Sequence, residues 1–378
     1  MKIEQKQWTA EGQWAASGDN GVSKSANLVL AFGSRGILSD SARYDEIRAF
    51  YPDAHILCGT TSGEILGIEV SDDTIALTAI EFESTTLKTI SLRISEQENS
   101  FEAGKTLGNE LLSDDLVHVF VLSDGLQVNG SELVKGISEA LPNTISVTGG
   151  LAGDAANFEK TLVGLDTAPT DGNIVGIGLY GSSLKIGHGT QGGWDPFGPE
   201  RIVTKSSSNV LYELDGQSAL ELYKTYLGDK AAELPGSGLL FPLAIKETAD
   251  SRPVVRTLLA VDEGEHSMTF AGDLPEGAVV QLMKANFDKL IDASADAAEG
   301  SLEKIGSGAQ LAILVSCVGR KLVLDQRIEE EVEEVQAVLG DDTKITGFYS
   351  YGEISPLNDG FNCDLHNQTM TITTFNEN

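Results

Sequence analysis

Cysteine is scarce in this sequence, at three in 378 residues, and Cys58, Cys317 and Cys363 lie far apart without a CxxC pair. Disulfide frameworks need more cysteines and zinc sites need closer spacing, so neither is expected. Basic side chains are also few, 26 against 57 acidic ones, for a net charge of −31. A surface that negative repels phosphate backbones and anionic lipid heads, which argues against nucleic acid and membranes as partners. It suits a basic protein partner, and it leaves a homo-oligomer open. No apolar run reaches the roughly 18 residues of a membrane span. No apolar segment follows the N-terminal charges Lys2, Glu4 and Lys6 as a signal peptide requires. A cytoplasmic, unanchored protein is the expectation. The catalytic signatures GxxxxGK[ST], GxSxG and HExxH are absent, and no GxGxxG joins a strand to a helix.

What is present is enough apolar sequence for a large core, 41% of residues, and 41 glycines against 10 prolines. At roughly 100–200 residues per domain the length suggests two halves. The pattern predicts an α/β fold in which a strand–helix–strand unit with a glycine turn occurs three times, forming mixed sheets covered by helices. Near-continuous apolar runs at 28–33, 117–122 and 311–316 read as strands covered on both faces. Each leads to an amphipathic helix. Ser39 or Asp40 can cap the first, Asn129 the second. In the third, Ile328, Val332, Val335 and Leu339 form the buried stripe, and glutamates 329–331, 333 and 334 mostly face water.

Each helix stops at a breaker, at Pro52, Pro142 and Gly340, and a short strand follows at 55–57, 144–147 and 344–346. The strands run into Gly59-Thr-Thr-Ser-Gly63-Glu64, Gly149-Gly-Leu-Ala-Gly153-Asp154 and Gly347-Phe-Tyr-Ser-Tyr-Gly352-Glu353. Asp53, Asn143 and Asp341 each precede the first turn glycine by six residues, and a carboxylate follows the last glycine every time. Strands at 73–82, 173–188 and 369–375 complete the units. Between the second and third units, 219–227 and 277–293 read as helices; 239–245, 254–261 and 267–270 read as strands. Composition shifts near Asp215-Gly216. This divides the chain into an N-terminal extension 1–25 and halves at 26–215 and 216–378.

The turns are the prime ligand site, because open α/β sheets bind ligands beyond their strand ends. Gly63 and Gly153 would let backbone N–H groups approach a ligand, and Glu64, Asp154 and Glu353 would receive an amine. The alternative is that each acid caps a following turn and the glycines only satisfy a positive φ. Phe348, Tyr349 and Tyr351 read either as a pocket wall or as core; they mark residues 347–353 as the turn to probe first. Trp194, in a glycine-rich stretch, reads as a lid over a ligand or as part of a domain connection. His188 shares a strand face with Leu184 and Ile186, and His366 by alternation shares one with Gln368, Met370 and Ile372. Both read as inward histidines, either haem-iron ligands or satisfied core residues. Cys58 or Ser62 could serve as a nucleophile at a strand end, but no base lies at a recognisable spacing.

Several of these segments resemble FIST-domain proteins. They are Cys58-Gly-Thr-Thr-Ser-Gly-Glu-Ile65, Thr148-Gly-Gly-Leu-Ala-Gly-Asp154, Gly193-Trp194 with Pro196 and Gly198, Tyr212-Glu-Leu-Asp-Gly216, Gly347-Phe-Tyr-Ser-Tyr-Gly-Glu-Ile354, and His366-Asn-Gln-Thr-Met370. The resemblance runs from about residue 28 to 375, with a FIST N and a FIST C half. It implies a non-enzymatic sensory module for a small ligand, with amino acids proposed. The chain is also similar to the stand-alone, nitric-oxide-sensing NosP-type subset, which implies haem b as cofactor and a histidine kinase regulated in trans. The family motif itself assigns no haem ligand.

Overall fold

Each apolar run becomes a strand with both faces covered. The computed structural model describes residues 1–378 except 18–21, 23–24, 247–252, 307, 357–362 and 378. Its three opening strands are Leu28–Gly33, Leu116–Ser123 and Leu311–Cys317. Alternate side chains of a strand point to opposite faces. Leu28, Leu30 and Phe32 enter one shared core, joined there by Phe120 and Leu122 and by Leu311, Ile313 and Val315. The residues between them turn outward under helices. Val29 and Ala31 meet Ile47; Val119 and Val121 meet Leu133, Val134 and Ile137; Ala312 and Leu314 meet Val332, Val335 and Leu339. Each such Leu, Ile or Val contributes about 1.5–3 kcal/mol by leaving water, which is why the runs are so largely apolar, with His118 and Ser316 as exceptions.

The covering helices are Ser41–Phe50, Gly130–Ala140 and Ile328–Leu339. Asp40 caps the first by accepting from the Ala42 N–H, and Asn129 caps the second by accepting from the Glu132 N–H. The third has no side-chain cap and is preceded by an extra helix, Val318–Leu324. In every unit the second strand pairs parallel with the opening strand: His55–Thr60, Ser146–Leu151 and Lys344–Ser350. A return strand pairs antiparallel on the other side: Ile75–Glu81, Asn173–Tyr180 and Met370–Glu377.

The three sheets are six-stranded, and each borrows from a neighbour. Glu64–Leu66, just past the first turn, pairs with Lys344–Ser350 of the third unit. Gly352–Pro356, past the third turn, pairs with Ser146–Leu151 of the second. Val163–Leu165, past the second turn, pairs with His55–Thr60 of the first. The units therefore exchange strands in a closed cycle around the shared core. A fourth, nine-stranded sheet spans residues 195–284. Asp215-Gly216 forms a hairpin turn inside it, between Val210–Leu214 and Gln217–Ser218.

The N-terminal extension contributes two strands, Lys2–Thr9 and Gln13–Ser17, to the first unit's sheet. Three sequence expectations change. Residues 277–293 are not one helix: Val279–Lys284 is a strand, and the helix is Phe287–Ile305, capped by Asn286. β-branched Val279 and Val280 fit the pleat, where they pair with Lys246 and Ile245. Glu331 does not face water; it is fully buried beside Arg320. His366 does not continue in alternation to Met370, because Cys363–His366 and Met370–Glu377 belong to different sheets, with Gln368 at φ 60° between them.

Candidate functional site

The second strands run further than their glycines suggested, so the turns are short and meet one another. The Ser62 N–H donates to the Tyr349 carbonyl at 2.8 Å, and the Tyr349 N–H donates to the Gly63 carbonyl at 2.9 Å. The Gly153 N–H donates to the Thr60 carbonyl at 2.9 Å, and the Tyr351 N–H to the Leu151 carbonyl at 3.2 Å. All three turns are thus tied together at the strand ends. A Cβ on Gly153 would stand 2.3 Å from Ser62 Oγ, and one on Gly63 2.5 Å from Lys321 Nζ. Both glycines are filled against protein, with Gly63 at φ 138°.

The three acids divide two to one. Glu64 accepts from Thr61 Oγ1, and from the N–H and Oγ1 of Thr74 at 3.2 and 2.8 Å. Glu353 repeats this with Ser350 Oγ at 2.6 Å and with the N–H and Oγ1 of Thr369 at 3.3 and 3.0 Å. Each clasps its turn to the start of a return strand. Asp154 instead pairs with Arg35 Nε at 2.9 Å and accepts from the Lys160 N–H at 3.2 Å. The sequence carries the reason: three residues before the acid stand Thr61 and Ser350, but Leu151 in the second copy.

Burial pushes the Glu64 carboxyl up to about 7 and the Glu353 carboxyl up to about 8, against hydrogen bonds that pull them down. The folded chain keeps both protons where the unfolded chain, near 4.5, has released them. Their contribution to stability is therefore full below about 4.5 and is lost as pH rises through 7 and 8. Glu353→Gln mimics the protonated form. It is expected to flatten the decline between about pH 5 and pH 9 seen by urea unfolding. An unchanged slope would remove Glu353 as its source.

The aromatics also separate. Phe348 and Tyr349 lie on the second strand and are core: Phe348 packs on Phe32 with ring centroids 4.6 Å apart, and Tyr349 donates to Glu331 at 2.8 Å. Tyr351 stacks on Phe158 with centroids 4.4 Å apart. Trp194 is buried, its indole N–H donating to the Gln368 carbonyl at 2.8 Å, and is no lid over open space.

Three clefts occupy equivalent places, each between the exit of one unit's opening strand and the turn of another unit. The Lys321 cleft, 550 Å³, lies between Val318, Lys321 and Leu322 of the third unit and Ser62, Gly63 and Glu64 of the first turn. The Asp154 cleft, 500 Å³, lies between Ser34, Arg35 and Gly36 of the first unit and Asp154, Ala155 and Asn157 of the second turn. The Tyr351 cleft, 400 Å³, lies between Gly125, Leu126 and Gln127 of the second unit and Tyr351 of the third turn. The first two share Ser34, Thr61, Asp73 and Ala155 and make one charged depression. Lys321 there pairs with Asp72 and donates to the Ser62 carbonyl at 3.0 Å; Arg35 also pairs with Glu159 at 2.9 Å. Arg35, Asp72, Asp73 and Lys321 were missed from the sequence. Their signal was position, since Arg35 and Lys321 follow shortly after opening strands.

His188 and His366 are each 2% exposed and line none of the three clefts. His188 Nδ1 lies 3.1 Å from Lys304 Nζ, and His366 Nε2 lies 3.0 Å from the Ser355 carbonyl oxygen. Neither histidine therefore opens onto one of these clefts. Cys58 is buried, and burial pushes its thiol up to about 12, far from the reactive thiolate range. The Ser62 hydroxyl donates to the Ala155 carbonyl at 3.2 Å. Among the described residues, no group of three or more His, Cys, Asp and Glu side chains is placed to hold a metal ion. Among them too, no helix is long and apolar enough to cross a membrane.

Clefts at the strand ends of covered α/β sheets are where such folds take small ligands. The FIST N domain matches residues 27–217 and the FIST C domain matches residues 219–356. The chain therefore belongs to the FIST family, whose domains bind small ligands in signal transduction. An uncharacterized protein of Methanocaldococcus jannaschii is 25% identical over 212 residues, covering 51% of this chain and 39% of that relative. The chain thus aligns with less than half of that relative's length.

Proposed function

We propose that the chain is a sensor for a small zwitterion, an amino acid being the simplest, held in the joined Lys321 and Asp154 clefts. The observation that carries this reading is the pairing of opposite charges around one depression. Arg35, Lys160 and Lys321 line it together with Asp72, Asp73, Asp154 and Asp325, and within it Arg35 pairs with Asp154 and Lys321 with Asp72. Arg35 offers a planar fork suited to a carboxylate, and Asp73 a carboxylate suited to an ammonium group. Glu64 and Glu353 serve as clasps of the turns rather than as amine receptors.

A ligand there would touch the first and second turns, and the backbone bonds between turns carry its effect to the third unit. The acidic surface suits a basic face on a separate partner, and a cytoplasmic histidine kinase acting in trans is the partner proposed.

A thermal-shift screen of free amino acids tests the reading. A true ligand stabilises by RT ln(1 + [L]/Kd), about 2.7 kcal/mol at one hundred times Kd. Arg35→Ala and Asp73→Asn are each expected to weaken it about tenfold, the effect of losing one charged contact. No concentration-dependent shift with any amino acid would refute it.

The haem-based nitric oxide version has less support, since His188 and His366 sit away from the clefts. It requires a saturable Soret band on titration with haemin, lost in His188→Ala or in His366→Ala. A spectrum without that band would end it.

A further inference from the structure

The Tyr351 cleft differs from its two equivalents in what walls it. Neither of the other two has a residue of the nine-stranded sheet in its lining, whereas here Asn209, Leu259 and Phe270 close the outer side. It also differs in charge. Among the described residues its one charged lining residue is Asp273, which already accepts from Ser208 Oγ at 2.9 Å and pairs with Lys135 at 3.6 Å. With a single charged side chain in its described lining, this cleft suits an uncharged ligand rather than an ion.

We propose that the Tyr351 cleft binds an uncharged planar aromatic compound, which bridges the three-unit scaffold and the nine-stranded sheet. Phe158 and Tyr351 stack at 4.4 Å with their planes 14° apart. The Tyr351 hydroxyl fixes that ring by donating to the Ala155 carbonyl at 3.2 Å and accepting from the Phe158 N–H at 3.1 Å. Phe158 is 44% exposed, so the pair presents ring surface on which a third ring can stack. Apolar side chains on both walls are left facing water, Leu126 at 39% and Leu259 at 40%. A flat apolar ligand would cover all three at once. The amides of Gln127 and Asn209 in the lining supply hydrogen bonding that orients it without asking for charge.

The cleft sits between two separately packed cores, that of the second unit and that of the nine-stranded sheet. A ligand in it therefore binds one relative position of the two bodies better than others, and this differential contact is what a signal requires. The site is distinct from the charged depression and is accessible to a ligand of different chemistry.

Indole and quinoline, titrated into the full chain near neutral pH, are suitable probes. Saturation-transfer NMR should show saturable binding. Hydrogen exchange should slow on both walls, at residues 125–130 and 270–273. Phe158→Ala and Leu259→Asn should each weaken binding at least tenfold while the chain stays folded, since both side chains are partly open to solvent. A saturating amino acid should leave indole binding unchanged, which separates this site from the charged depression. The proposal is overturned if neither probe saturates, if protection falls on one wall only, if both variants bind as before, or if an amino acid displaces indole.

Discussion

Arg320→Ala is expected to lower the stability of the chain by about 3–5 kcal/mol, the cost of stranding one half of a buried ion pair. Arg320 and Glu331 are both fully buried, with Nη2 2.8 Å from Oε2. The guanidinium also donates to the Gly192 carbonyl at 2.7 Å and the Leu290 carbonyl at 2.6 Å. Glu331 accepts from Ser316 at 3.1 Å and from Tyr349 at 2.8 Å. Removing the arginine leaves a buried carboxylate without its cation and takes a charged donor from the Gly192 and Leu290 carbonyls, of which Leu290 still accepts from Ser294 Oγ at 3.4 Å. Glu331→Ala strands the opposite charge and should cost as much. The pair is not expected to be worth that sum, because both charges also lost their water. Arg320→Met with Glu331→Leu should recover most of the loss. Urea unfolding of the three variants measures these losses, and single losses under about 1 kcal/mol would contradict the expectation.

Gly149→Ala should lower stability by about 4 kcal/mol, in the range reserved for backbone strain and overpacking. Its Cβ would lie 1.9 Å from the Val121 carbonyl oxygen, and its φ of 143° is a conformation that alanine avoids. Gly347 stands at the matching place in the third unit, where a Cβ would lie 2.0 Å from the Leu314 carbonyl oxygen. In both units the glycine faces its parallel partner, Val121 or Leu314. Neighbouring strands cannot step aside without opening the sheet. Gly300, inside the helix Phe287–Ile305 with nothing within 4 Å, is the control. Its change to alanine should stabilise by about 0.5–1 kcal/mol. Thermal unfolding of the three single variants distinguishes close approach from glycine content in general.

These turn glycines show where sequence reading succeeds and where it stops. The repeat was legible because apolar runs, breakers and glycines are local signals that recur at fixed spacing. What the glycines approach was not. Gly149 and Gly347 make room for a neighbouring strand, and sequence spacing cannot tell a strand from a ligand. The sequence leaves Phe348 and Tyr349 open between pocket wall and core, because it does not mark where the strand ends; continued to Ser350, the strand carries them into the core. Glu331 lies in a run of glutamates, and its burial depends on Arg320, eleven residues earlier. A basic pair, Arg320-Lys321, in an otherwise apolar stretch was the available sign. Of the residues lining the charged depression, Gly63, Glu64 and Asp154 lie in the turns that the sequence marks. Its basic half comes from strand exits that only the exchange of strands brings opposite those turns.

That exchange bears on how such a chain could arise and how it can be divided. Three copies of one unit, each lending the strand past its turn to a neighbour in a closed cycle, form the arrangement of a strand-swapped homotrimer whose protomers have been joined end to end. No unit owns a complete sheet. Cutting between residues 217 and 219, where the two family domains meet, would leave the third unit without Glu64–Leu66 and the second without Gly352–Pro356. The two pieces would then carry complementary open edges. The family boundary is in this sense a point of reassembly, where two fragments made separately have reason to find each other.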